Sequence, residues 1–228
     1  MTKTSSLSSY QKEFIQFLLE SEVLTFGDFV TKSGRRTPYF VNSGMFNTGY
    51  RIGKLGEFYA AHIQKIGLSD VQAVFGPAYK GIPLCVATSE ALYRKFSHDV
   101  GYTFDRKEAK SHGDKGQMVG YKLREGDSVL LVEDVITAGT TLRHIVPILR
   151  SDLKVSIRGV IVAVDRCEKG QGELSASREA EKELGIHVYP IVTVHEILSY
   201  LSSENDTSFR LSEELQARME SYLAEYGA

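Results

Sequence analysis

The sequence predicts an α/β protein, a mostly parallel twisted sheet flanked by helices. Short apolar runs rich in Val and Ile alternate with amphipathic stretches of helical period through most of the chain. Strands that alternate with helices need crossover connections, which make the sheet parallel and cover both of its faces. The composition also suits a buried core, at 42% hydrophobic and 25% charged over 228 residues. With no internal repeat, linker or low-complexity run, one domain is expected.

Taken in order, Ser8 to Glu20 places Phe14, Ile15, Leu18 and Leu19 on one helical face after capping serines. Gly27 to Asn47, punctuated by Gly, Arg and Pro, reads as short strands and turns. Gly53 to Ile66 is a second amphipathic helix, Val71 to Phe75 a buried strand, and Gly81 to Lys95 a helix with Pro83 in its first turn. A strand ends near Asp105. Ser128 to Asp134 is another, and a helix begins near Gly139. Pro147 should kink that helix or end it early, because it lacks the amide the helix needs. Val155 to Asp165 is a strand, Ser175 to Leu184 a helix closed by Gly185, and His187 to Val194 a strand. Helices at His195–Ser203 and Ser212–Tyr226 follow.

A formal net charge of -2 argues against a dedicated nucleic-acid or membrane binder. No run approaches the ~18 apolar residues of a membrane span, and MTKTSSLSSY lacks the apolar core of a signal peptide. Two isolated cysteines, Cys85 and Cys167, make neither a disulfide framework nor a zinc knuckle. A cytoplasmic protein is expected.

The chemistry concentrates at Val129–Leu142, VLLVEDVITAGTTL. An apolar strand meets two carboxylates, Glu133 and Asp134, at its carboxyl end, where open parallel sheets bind ligands. Paired carboxylates are acceptors suited to the vicinal hydroxyls of a ribose, and they sit well beside a sugar developing positive charge. Gly139 allows a tight turn, and Thr137, Thr140 and Thr141 offer hydroxyls beside a helix start with free N–H groups. A phosphate fits there. An ordinary capped strand-to-helix turn uses similar residues; the two acids make the pattern more specific. No GxxxxGK[ST] occurs, Gly76–Gly81 has its lysine in the wrong order for a P-loop, and Gly170 with Gly172 forms only half of a GxGxxG. Between Arg106 and Gly120 lies a loop carrying Arg106, Lys107, Lys110, His112 and Lys115, with little to bury. A loop this long inside a domain is commonly functional, and a cationic lid would neutralise a departing pyrophosphate.

Five blocks, FGDFVTKSGRRTPYFVN (Phe26–Asn42), FGPAYKGIP (Phe75–Pro83), RKEAKSHG (Arg106–Gly113), VEDVITAGTT (Val132–Thr141) and VDRCEKGQGE (Val164–Glu173), together resemble the orotate phosphoribosyltransferases over almost the whole chain. The resemblance implies the type I phosphoribosyltransferase fold, with a small hood of helix and short strands built from residues 1–50 and part of the C-terminal region. It implies magnesium-dependent transfer of phosphoribose from phosphoribosyl pyrophosphate (PRPP) to N1 of orotate, giving orotidine 5'-phosphate and pyrophosphate. Magnesium would be held mainly by substrate oxygens, without a dedicated metal-ligand cluster. Carried over by position, Lys32, Tyr79 and Lys80 contact PRPP, and Arg106, Lys107, Lys110 and His112 close over it. Glu133, Asp134, Val135, Ile136, Thr137, Ala138, Gly139, Thr140 and Thr141 hold the ribose and its 5-phosphate. The catalytic set is then Lys110, Arg106, Lys107, His112 and Asp134, and the orotate set Phe40, Val41, Thr137 and Arg166. The Arg166 fork suits the orotate carboxylate, and Tyr39 and Phe40 lie where a flat pyrimidine is expected. Val41 and Glu133 stand where the pattern often has Phe and Asp. A homodimer with shared active sites is also implied, and no nucleic-acid or membrane partner. The alternatives are a phosphoribosyltransferase for another base or a PRPP-binding regulatory protein.

Overall fold

The computed structural model describes residues 7–31, 34–107, 117–136, 139–203 and 209–228. Helix α1 (Ser9–Glu20) starts on a capping box, in which Ser8 and Gln11 satisfy each other's end of the first turn. A hairpin follows, β1 (Leu24–Val30) paired antiparallel with β2 (Arg36–Val41) in a two-stranded sheet of their own. Helix α2 (Gly49–Lys65) begins four residues earlier than its apolar period suggests, because the Thr48 side chain caps the Arg51 amide. The alternation then runs β3 (Ala73–Phe75), α3 (Gly81–Phe96), β4 (Gly101–Asp105), β5 (Met118–Gly120), β6 (Ser128–Glu133), α4 (Thr140–Pro147), β7 (Ser156–Asp165), α5 (Ala176–Leu184) and β8 (Val188–Thr193). Helices α6 (Val194–Ser202) and α7 (Glu213–Tyr226) follow. The expected ending of the helix at Pro147 is found: beyond it Ile148–Asp152 form a π-helical turn.

The main sheet has six strands in the order β5-β4-β3-β6-β7-β8, parallel except for β5. The expected loop from Arg106 to Gly120 is therefore too long at its far end. Met118–Gly120 return as an edge strand antiparallel to β4, supplying partners to backbone groups that β4 would otherwise leave bare. Pro190 lies within β8, at the opposite edge, where a missing amide costs no ladder bond.

Strand periodicity sorts the core into two faces. Val74, Leu130, Val132 and Ile161 pack with α1, α2, α3, α6 and α7, while Phe75, Val129, Leu131, Val160 and Val162 pack with α4 and α5. Within the first face His62 is buried and its Nδ1 lies 2.8 Å from the Tyr10 hydroxyl. Burial pushes His62 from 6.5 down to about 4. The unfolded chain thus binds a proton between about pH 6.5 and 4 that the folded chain refuses. Stability is intact above that window and falls as pH drops through it, by about 3 kcal/mol when complete. Urea unfolding at pH 7 and pH 4.5 should show a steeper loss for the wild type than for His62→Gln; equal slopes would sink the assignment.

Candidate active site

Chain order places a topological switch at β3. The chain leaves β3 for β4 on one side, and β6 then adds on the other side. A crevice opens outside the carboxyl ends of strands at such a point. A cavity of about 870 Å³ lies there, lined by the segment after β3 (Pro77, Ala78, Tyr79, Lys80), the end of β6 with its following turn, the end of β7 (Asp165, Arg166), and hairpin residues Phe40 and Val41.

The turn after β3 is held from below. The Ala78 amide donates to the buried Asp105 Oδ1 at 2.7 Å, and a Cβ on Gly76 would stand 1.9 Å from the Gly81 carbonyl oxygen. Only glycine permits that approach, which brings Lys80 back over the sheet. Lys80 Nζ lies 2.9 Å from Asp134 Oδ2 and 2.7 Å from Ser43 Oγ, and Ser43 also donates to Asp134. Tyr79 is exposed on the cavity side, and Lys107 Nζ sits 4.9 Å from its ring centroid.

The two acids at the strand end are not equivalent. Tyr59 of α2, fully buried, donates to the Glu133 carbonyl at 2.7 Å and fixes the backbone there. Burial first, then the neighbouring Asp134 charge, pushes the Glu133 carboxyl up to about 8. Its Oε2 is buried with no hydrogen-bond partner. For Asp134 burial acts upward too, but the Ser43 hydroxyl and the Lys80 ammonium outweigh it and hold the carboxyl below its ordinary value. At neutral pH the pair thus carries about one charge, on Asp134. The two carboxyls expected to act alike as acceptors thus differ: burial favours the protonated form at Glu133, while Asp134 is held ionised.

After β6, Val135, Ile136, Gly139, Thr140 and Thr141 line the cavity, and Gly139 takes the left-handed conformation (φ 65°) that starts α4. The first amides of α4 face that turn, as an anion requires. Thr137 and Ala138 lie outside the described residues, as do Lys32, Lys110 and His112. Lys107 lines the cavity; Arg106 does not, and its amide donates to the Gln117 carbonyl at 2.8 Å.

Alternation along β2 separates the adjacent aromatics. Phe40 is 37% exposed, lines the cavity and stacks on Phe29, whereas Tyr39 is 1% exposed and turned into the core. The expectation that both lie near a flat ligand is therefore wrong for Tyr39. Its ring lies 5.0 Å from the Arg166 guanidinium carbon. Arg166 Nε and Nη2 both donate to Glu168 Oε1, at 3.0 and 2.7 Å, and the Tyr39 hydroxyl donates to the same oxygen at 2.7 Å. One edge of the fork is thereby occupied, leaving the Nη1–Nη2 edge for a ligand. Sequence reasoning missed Ser43, Asp105 and Glu168. Only Glu168 carried a signal, its place two residues after Arg166 in VDRCEKGQGE.

A cavity at the switch point, an acidic strand end and a glycine-headed helix together describe a phosphorylated-sugar site, and the family model "Phosphoribosyl transferase domain" matches residues 50–177. An orotate phosphoribosyltransferase of Clostridium beijerinckii is 49% identical over 223 residues, 97% of this chain and 100% of that protein. One of Vibrio cholerae is 47% identical over 221 residues, again 97% and 100%. The crystal structure of orotate phosphoribosyltransferase from Francisella tularensis superposes with a TM-score of 0.81 at 38% identity, covering 95% of this chain and 100% of that one. The chain belongs to the orotate phosphoribosyltransferase family.

Proposed function

We propose that this protein transfers the 5-phosphoribosyl group from PRPP to N1 of orotate, releasing pyrophosphate and orotidine 5'-phosphate in pyrimidine biosynthesis. The observation that carries the reading is one cavity joining the Glu133–Asp134 strand end to the open edge of Arg166. In this reading the Gly139–Thr141 turn binds the 5-phosphate, with Thr137 and Ala138 completing the turn. Glu133 and Asp134 hold the ribose hydroxyls, and Lys32, Tyr79 and Lys80 hold the pyrophosphate. Arg106, Lys107, Lys110 and His112 close over it. Phe40 covers one face of orotate, Val41 and Thr137 lie beside it, and Arg166 receives its carboxylate. A purine base has no carboxylate and would leave that edge unmatched.

As C1–O bonding to pyrophosphate weakens, positive charge develops on the ribose, and the Asp134 carboxylate stabilises it. The lid cations take the charge of the leaving group, and the orotate N1 lone pair forms the new bond to C1. Orotate N1 is acidic, so positioning and electrostatics carry the reaction without a dedicated side-chain base. Magnesium favours oxygen ligands and keeps several waters. Asp134, held ionised at the strand end, would be the protein's main oxygen donor. Glu133, whose Oε2 is unpartnered, could join it on losing its proton, which fits an ion held mainly by PRPP oxygens. When bound, magnesium neutralises pyrophosphate charge.

The protein is read as cytoplasmic; among the described residues no helix is long and apolar enough to cross a membrane. A homodimer with shared sites completes the reading; an exposed apolar row on α3, Val86, Tyr93 and Phe96, offers a face for a second copy to cover. If the lid of one subunit serves the other's site, mixing Lys110→Ala with Asp134→Asn chains restores part of the activity each lacks alone. No recovery in confirmed heterodimers would assign each site to one chain.

The test of the function is ultraviolet loss of orotate with PRPP and magnesium. No PRPP-dependent loss, with turnover of hypoxanthine or uracil instead, would overturn the reading.

A further inference from the structure

We propose that Glu168 is a positioning and specificity-determining residue for the base: it fixes the Arg166 guanidinium and cancels its charge, so that the open edge selects a planar carboxylate over a phosphate. This rests on the proposed orotate reading of the same cavity.

Glu168 Oε1 accepts three bonds, from Arg166 Nε (3.0 Å), Arg166 Nη2 (2.7 Å) and the Tyr39 hydroxyl (2.7 Å). Both partners are largely covered, with side-chain exposures of 14% for Arg166 and 12% for Glu168. The carboxylate is held in turn by its backbone. Glu168 bridges antiparallel to Gly227, the Lys169 amide donates to the Tyr226 carbonyl at 2.8 Å, and the Ala228 amide donates to the Cys167 carbonyl at 2.9 Å. Behind the cluster the Tyr222 ring meets Tyr39 edge-on, and Arg35 lies over Tyr226 while its Nη1 donates to the Lys169 carbonyl at 3.4 Å. Arg166 is thus clamped between the hairpin, the end of β7 and the residues closing α7.

An unclamped arginine fork binds carboxylate and phosphate alike. That is a hazard in a cavity whose other substrate carries a phosphate and a pyrophosphate. With Glu168 alongside, the ion pair is close to neutral. A monoanionic carboxylate is then tolerated where a multiply charged phosphate is repelled, and the fixed plane favours a flat partner.

The experiment compares wild type, Glu168→Gln and Glu168→Ala by steady-state kinetics in both substrates, with inorganic phosphate as inhibitor and thermal melting as control. Glu168→Ala is expected to raise KM for orotate at least tenfold while KM for PRPP holds, as for loss of a positioning contact. In Glu168→Gln, phosphate should become competitive against orotate and inhibit more strongly than in wild type. An unchanged orotate KM with unchanged phosphate inhibition overturns the proposal. So does an equal rise in both KM values with a lowered melting temperature, the mark of mere fold support. Wild type failing to consume orotate would refute the underlying reading itself. If wild type consumes it and Arg166→Ala weakens orotate but neither Glu168 variant does, only this inference falls.

Discussion

Asp134→Asn is expected to lower kcat at neutral pH by about 10²–10³-fold, while Glu133→Gln lowers it by less than about tenfold. The asymmetry follows from burial and neighbours. Asp134 is kept ionised by Ser43 and Lys80, whereas Glu133 is pushed up to about 8 by burial and by the charge beside it. At pH 7 glutamine is close in shape and charge to the acid it replaces at 133, but asparagine at 134 removes the negative charge the pair carries. In the proposed reaction that charge faces the ribose as it becomes cationic, so its loss should raise the barrier more than it weakens ground-state binding. In Asp134→Asn the Glu133 carboxyl loses the charge that raised it and ionises at lower pH. Residual activity should therefore climb with pH more steeply than in wild type. Comparing kcat across pH 6 to 9 for the two variants checks this; equal losses at pH 7 would refute the division of roles.

Arg166→Ala should reduce kcat/KM for orotate by about 10²–10³-fold, because a largely covered fork is replaced by nothing able to meet the carboxylate. KM for PRPP should stay near its wild-type value. The alanine variant also strands the Glu168 carboxylate and the Tyr39 hydroxyl, both tied to Arg166. Burial holds Tyr39 protonated, so it remains a donor to Glu168 and spares the fold part of that cost. Arg166→Lys keeps a charge but loses the planar two-point contact, and should recover only a small part of the activity. Turnover titrated separately in each substrate decides the matter; parallel losses in orotate and PRPP would remove Arg166 from base recognition.

Much of this was legible along the chain. Apolar runs and their periods gave the strands and helices, since VLLVED is buried on both faces and Gly53–Ile66 on one. Pro147 and Gly185 marked real helix ends because their effects on the backbone are local. Less visible was the edge strand β5, whose three residues are too few for a period to register. Thr48 was missed as a cap because its apolar signal starts later than its helix.

By itself, the sequence singled out the residues that the proposed reaction calls on: the acid pair after an apolar strand, the glycine turn, the cationic segment and Arg166. These are properties of neighbours within a few residues, where covalent geometry sets the outcome. Only the tertiary structure decided what each group does at its place. Ser43, Lys80 and Asp134 meet across 91 positions of chain, and Tyr39, Arg166 and Glu168 across more than a hundred. The burial and charge those contacts create push the Glu133 carboxyl up, hold Asp134 down, and occupy one edge of the Arg166 guanidinium. Such fields depend on distance through space, and spacing along a chain does not encode them.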